Sequence, residues 1–149
     1  MNKHINGKKY GCWEWYFDDG KLSHKGHYKN DEREGLWEDY YNNGNLRWKG
    51  RFKDGELSGL WEYFHDNGKL QSKGNFKNGK MTGYWEWYYS NGELQCKGNY
   101  KNGSKTGCWE EYYSNGKLKW KGSCKNGIRE GYWEWFNDDG TPHYQAFYY

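Results

Sequence analysis

The chain has no long apolar run. No stretch of 18 apolar residues occurs in its 149, and mean hydropathy is −1.46. That excludes a membrane-spanning helix, and there is no short apolar core of the kind a signal peptide needs. The protein is therefore expected in the cytoplasm. Proline is almost missing. Pro142 is the only one, and with no shift in composition along the chain, no linker divides it into domains. Metal-ligand spacing is absent as well. There is no Cys-x-x-Cys and no His-x-x-x-His, and His4, His24, His27, His65 and His143 are scattered, so no metal site is expected. Neither a Gly-x-Ser-x-Gly elbow nor a phosphate-binding loop appears. No cofactor and no enzymatic activity are expected.

An excess of one charge is missing too. Lys and Arg number 23, Asp and Glu 20, and the net charge is +3. The two signs are interleaved, which argues against a nucleic-acid surface built on phosphate neutralisation. Lysines beside stacking aromatics are the one route left to a single strand, and nucleic acid is not the expected partner.

What the chain does have is repetition. Trp13, Trp37, Trp61, Trp85, Trp109 and Trp133 are spaced by 24 residues every time, and a period of this size denotes a repeat architecture. Units begin near residues 11, 35, 59, 83, 107 and 131, with 1–10 as a partial leading unit, all within one array, 1–149. With the anchor Trp as position 0, the 22 glycines fall in four columns, at −2, +7, +13 and +18. Glycine placed so regularly answers a backbone or packing demand. A disordered Gly-rich linker would also lack the 22% aromatic content seen here.

The +7 glycines follow Asp or Asn: Asp19-Gly20, Asn43-Gly44, Asn67-Gly68, Asn91-Gly92, Asn115-Gly116 and Asp139-Gly140. Such dipeptides between aromatic-rich runs predict a hairpin with a two-residue type I′ turn. That register sets Glu14 against Lys25, Glu38 against Lys49, Glu62 against Lys73, Glu86 against Lys97 and Glu110 against Lys121. Opposite charges thus meet in every complete hairpin of the first five. It also sets each anchor Trp against the +13 Gly of its own unit, where the indole can lie flat over bare backbone.

Period-two alternation assigns the faces. Face A holds the anchor Trp, positions +2, +4 and +11, Leu at +9 and an aromatic at +15. Face B holds the Glu/Lys ladder and aromatics at +3. Face A is the expected core. Its +2/+11 partners vary: Trp15/His24, Asp39/Trp48, Tyr63/Ser72, Trp87/Cys96, Glu111/Trp120 and Trp135/Tyr144. In the first five a large aromatic meets a smaller residue, the volume compensation expected where space is limited. Between units, Asn78-Gly79 and its copies suggest a second two-residue turn. A link two residues longer would instead align each Lys at +12 with the next Glu, and the longer link is the expectation. Asp31 replaces the loop glycine in one unit, at a position that tolerates positive φ. The sixth unit departs from the pattern, with Pro142 for Leu and Ala146 for Gly. It reads as a cap on an edge strand.

Cys12, Cys96, Cys108 and Cys124 do not pair in this arrangement. Cys12 and Cys108 share a column but stand four units apart, roughly 38 Å at two strands per unit. Cys108 lies on the opposite face from Cys96 and Cys124. They read as small apolar substitutes in a reducing compartment.

The unit G-x-W-E-x-Y/F-x-x-N/D-G-x-L-x-x-K-G-x-Y/F-K-N/D-G is complete in Gly59–Gly79, GLWEYFHDNGKLQSKGNFKNG. It resembles the bacterial variant of the MORN repeat over nearly the whole chain. The resemblance implies an elongated antiparallel β-meander that serves protein–protein association, scaffolding and sometimes lipid contact. The bacterial variant is often found in proteins labelled as antitoxins. Choline- or glucan-binding cell-wall repeats are also similar, but they are usually secreted and lack the regular Trp-Glu with Lys-Gly.

The expected fold is all-β, an elongated single-sheet meander of six 24-residue hairpins making twelve strands. The expected function is a non-enzymatic protein-interaction scaffold, with a toxin to be neutralised as one such partner; the alternative is a carbohydrate-binding module with Trp and Tyr platforms. The candidate binding residues are the variable aromatics of face A: Trp15, Trp48, Tyr63, Trp87, Trp120 and Trp135. If sheet twist closes that stripe into the core, the partner surface passes to face B around Tyr40, Tyr88 and Tyr112.

Overall fold

A computed structural model describes residues 3–149. Among them there is no helix. The strands are β1 (Lys3–Ile5), β2 (Lys8–Tyr16), β3 (Leu22–Lys29), β4 (Glu32–Tyr40), β5 (Leu46–Lys53), β6 (Glu56–Phe64), β7 (Leu70–Lys77), β8 (Lys80–Tyr88), β9 (Leu94–Lys101), β10 (Ser104–Tyr112), β11 (Leu118–Lys125), β12 (Ile128–Phe136) and β13 (Pro142–Tyr148). They form one sheet in chain order, each strand antiparallel to the next. The count is thirteen rather than twelve because the leading partial unit supplies β1, which pairs with β2 around Asn6-Gly7.

The hairpin register is the one the charge pattern requires. Glu14, Glu38, Glu62, Glu86 and Glu110 face Lys25, Lys49, Lys73, Lys97 and Lys121, and each anchor Trp of these hairpins faces the +13 Gly. The turn that produces the register is different from the expected type I′. Phe17 N donates to Lys21 O and Gly20 N to Phe17 O, at 2.8 and 2.9 Å. Gly20 has φ +84 while Asp19 does not have positive φ. This is a three-residue loop, a type I turn closed by a glycine in the left-handed region. The Asp or Asn is there for its side chain. Its Oδ1 accepts the N–H two residues on, as in Asn43 to Asn45 at 2.9 Å and Asn91 to Glu93 at 2.9 Å. Its Nδ2 reaches a carbonyl of the next loop, as Asn67 does to Ser90 at 2.8 Å. The extra residue is absorbed by a bulge beside it, where Tyr16 faces Leu22.

Between units the longer link is not formed; the link is the two-residue turn, and only the expected alignment of Lys with the next Glu is kept. Asn78 and Gly79 both have positive φ, at 49° and 69°, so the link is a two-residue type I′ turn. The alignment of Lys73 with Glu86 holds nevertheless, because the register shifts within the strand. Asn75 faces Thr82, and two residues earlier Lys73 faces Glu86, leaving Gly83 and Tyr84 as a two-residue bulge. Gly83 has φ +66, and its five column-mates have φ between 64 and 81°. The −2 glycine column therefore exists to re-register the sheet.

The indole-over-glycine packing is also reassigned. Each +13 glycine has an anchor Trp on both sides, and it is covered by the indole of the following unit. A Cβ placed on Gly98 would lie 2.2 Å from Cδ2 of Trp109; on Gly26, Gly50, Gly74 and Gly122 it would meet Trp37, Trp61, Trp85 and Trp133 at 2.0–2.1 Å. The lean has a cause. Each of these indoles donates Nε1–H to the carbonyl just after that glycine: Trp37 to His27, Trp61 to Arg51, Trp85 to Asn75, Trp109 to Asn99 and Trp133 to Ser123, at 3.0–3.2 Å. That carbonyl lies where the bulge interrupts the ladder. All five rings are 1–2% exposed, and with Phe52 and Cys124 they make the core of face A. Aromatics at +15 abut them edge-on; Tyr28 meets Trp37 and Tyr100 meets Trp109 at centroid separations of 5.0 and 5.1 Å.

Gly98→Val should therefore cost about 3 kcal/mol by overpacking against Trp109, read as a shift in the urea unfolding midpoint. An unchanged midpoint would show that the indole does not rest on that backbone.

Candidate functional site

On face A the +2 and +11 positions line up across the whole sheet. The row runs Trp15, His24, Asp39, Trp48, Tyr63, Ser72, Trp87, Cys96, Glu111, Trp120, Trp135, Tyr144, each facing the next. All six candidate aromatics lie in it. They are half-buried, and each stacks on or tilts against an anchor indole. Trp15 lies between Trp13 and Trp37 at 5.9 and 5.8 Å, and Trp87 between Trp85 and Trp109 at 5.6 and 5.7 Å. Trp48 and Tyr63 flank Trp61 at 5.2 and 6.0 Å, and Trp120 and Trp135 flank Trp133 at 5.1 and 5.8 Å. These residues roof the core while keeping one edge in solvent.

The small and polar members of the row cut notches in that roof. Asp39 is 8% exposed. Arg47 Nε stands 2.6 Å from its Oδ1 in an ion pair. Burial outweighs Arg47 and holds the Asp39 carboxyl above its usual range. Burial likewise pushes the Cys96 thiol up to about 11, which leaves it neutral and unreactive at physiological pH. All four cysteines are free, and no cluster of His, Cys, Asp and Glu among the described residues could hold a metal.

Face B carries the charge ladder. The registered hairpin pairs are not the ion pairs that form. Each Lys ammonium reaches the Glu of the following unit: Lys25 to Glu38, Lys49 to Glu62, Lys73 to Glu86, Lys97 to Glu110 and Lys121 to Glu134, at 2.8–2.9 Å. The +3 tyrosines add hydroxyls to the same carboxylates, as Tyr40 does to Glu38 at 2.7 Å and Tyr88 to Glu86 at 2.9 Å. Burial would raise the carboxyls of Glu38, Glu86 and Glu110, but the Lys and Tyr hydrogen bonds prevail and hold them below their usual range. The Tyr40, Tyr88 and Tyr112 hydroxyls are thus engaged within the ladder.

Beside the ladder runs a column that the sequence reading did not single out, position −1. It holds Cys12, Leu36, Leu60, Tyr84, Cys108 and Tyr132. Leu36, Leu60, Tyr84 and Tyr132 are 47–53% exposed. At two strand spacings per unit they recur about every 10 Å. Where the column is cysteine, the relief inverts. A hollow of about 250 Å³ opens around Cys12, Gly26, His27 and Leu36, and one of about 200 Å³ around Cys108, Gly122, Ser123 and Tyr132. The available signal was an apolar residue between two invariant ones, Gly and Trp, but only the bulge shows why it points outward.

The structural period matches a known family. Six consecutive copies of the MORN repeat variant match residues 9–30, 33–54, 57–78, 81–102, 105–126 and 129–148. The chain belongs to the MORN repeat family. No curated protein matches it. MORN repeats are non-enzymatic and serve protein or membrane interactions in general. Here the MORN frame is the anchor Trp, the glycines, the Glu/Lys ladder and the loop Asn. What varies from unit to unit is the −1 column and the +2/+11 row, one on each face.

Two outcomes follow. Trp120→Ser removes a half-buried ring from Trp133 and should destabilise the fold by about 2 kcal/mol, measured by urea unfolding; a variant with native stability would make Trp120 a free surface residue. The carboxyls of Glu38, Glu86 and Glu110 sit below their unfolded range near ~4.3, so their contribution is present above that pH and is lost as pH falls through the lower folded value. Asp39, shifted upward, has the opposite sign. Unfolding midpoints measured from neutral pH into acid should fall below about pH 4, and Glu86→Gln should flatten the slope.

Proposed function

We propose that this MORN protein is an interaction scaffold without catalytic activity, and that it docks a partner protein on face B. The observation that supports this is the row Leu36, Leu60 and Tyr84, half-exposed apolar side chains in three consecutive units, beside a ladder whose charges are already paired. Exposed apolar side chains in a periodic row are the kind of surface that partners cover. Paired charges beside them keep the desolvation cost of docking low, because no isolated ion has to be buried. A toxin held inactive by occlusion fits such a partner, since occlusion needs surface and no chemistry. The protein is proposed to act in the cytoplasm, where its free thiols persist. A second reading, carbohydrate recognition on aromatic platforms, draws support at one place on face A, the uncharged slot around Ser72.

The test is a triple variant, Leu36→Ser, Leu60→Ser and Tyr84→Ser. Surface changes of this kind should each move stability by no more than about 0.5 kcal/mol. Proteins captured from the native host lysate and cross-linked to face B should be lost with the variant while its melting temperature holds. An unchanged captured set would remove face B from the mechanism.

A further inference from the structure

The +2/+11 row has one notch with a composition unlike the rest of the molecule. Ser72 sits between Tyr63 and Trp87, facing both across neighbouring strands. The slot that opens there is about 420 Å³ and is lined by Tyr63, His65, Gln71, Ser72, Phe76, Met81, Trp85, Trp87, Tyr88 and Gln95. None of these is Asp, Glu, Lys or Arg, in a chain that is 29% charged. The other deep notch in the row, at Asp39, is filled by a carboxylate and Arg47.

The polar groups of the slot are unspent. Ser72 is 6% exposed. Its hydroxyl lines the slot, and among the described residues it has no hydrogen-bond partner; the side-chain amides of Gln71 and Gln95 have none either. These groups are free to exchange hydrogen bonds with an incoming ligand. His65 is different, since its Nε2 is already occupied by Tyr88 O at 2.9 Å. The slot therefore offers aromatic surface from Tyr63, Trp87 and Phe76, together with one hydroxyl and two amides that both donate and accept.

We infer that this slot is a binding site for the ring of a neutral sugar. The inference rests on the carbohydrate reading and is independent of docking on face B. A pyranose has an apolar C–H face that stacks on an indole or phenol ring, and an equatorial rim of hydroxyls that exchange hydrogen bonds with amides and a serine. An uncharged lining excludes phosphate and carboxylate ligands, which would be desolvated without a counter-ion. The volume is in the range of small-ligand sites, and one or two sugar rings fill it. A flat, partly open slot of this kind gives weak, chain-length-dependent affinity, because few groups are buried.

The experiment is a titration of the full chain with cello-, malto-, chito- and xylohexaose, followed by Trp fluorescence and calorimetry. At least one should bind saturably with Kd at or below about 1 mM. Gln71→Ala with Gln95→Ala should weaken it at least tenfold without moving the melting temperature, because neither amide packs in the core. Ser72→Leu, which fills the floor, should abolish it, and an oligo-galacturonate should bind more weakly than the neutral chains. No saturable binding by any hexaose would overturn the inference. So would binding that the rim and floor variants leave unchanged, or competition for the slot by a proline-rich peptide alone. The face B triple variant should bind the sugar normally, so the failure of one reading is not mistaken for failure of the other.

Discussion

The fold depends on an indole lying on a glycine. A single sheet has no second layer to press against, so each unit must bury its hydrophobic surface against the next. The anchor tryptophans do this by covering the backbone of the preceding unit, where any Cβ would collide with the ring. One contact thereby achieves burial, a hydrogen bond from the indole N–H and a fixed spacing between units. Because every unit rests on its predecessor, the array behaves as a one-dimensional chain of nearest-neighbour couplings.

The rest of the sheet follows from keeping that contact in register. A type I′ turn alone would set the next Trp two residues out of step with the glycine. The two-residue bulge at the −2 glycine corrects the offset. The same correction carries each Lys to the next unit's Glu, so the ionic ladder and the aromatic ladder are consequences of one backbone irregularity. The bulge also throws the −1 side chain outward, and the ridge of Leu36, Leu60 and Tyr84 is its product. A structural device and a candidate interface thus share their origin.

The two faces divide the work. Face A is dominated by packing: its variable aromatics roof the anchor rings, and only where a small residue replaces one, as at Ser72, does the roof open. Face B is dominated by exposure: its charges are satisfied internally, and its apolar column is left to the solvent. Variation between units falls on both, against a frame that is nearly constant until the last unit.

The repeat, the antiparallel meander, the hairpin register and the identity of the core face were legible in the sequence. Each is a matter of period, and 24-residue spacing, Glu against Lys and Trp against Gly are all periodic. The turn types were not legible, because Asn-Gly at +6/+7 and Asn-Gly at the unit link look alike. Only backbone dihedrals distinguish a type I loop, where Asn caps by its side chain, from a type I′ turn, where Asn itself takes positive φ. Which glycine each indole covers was equally hidden, since a Trp in mid-sheet faces one on either side. The choice was made by a carbonyl freed at the bulge. The exposure of position −1 and the open slot at Ser72 likewise belong to the tertiary structure, because both depend on which way a side chain leans between neighbouring strands.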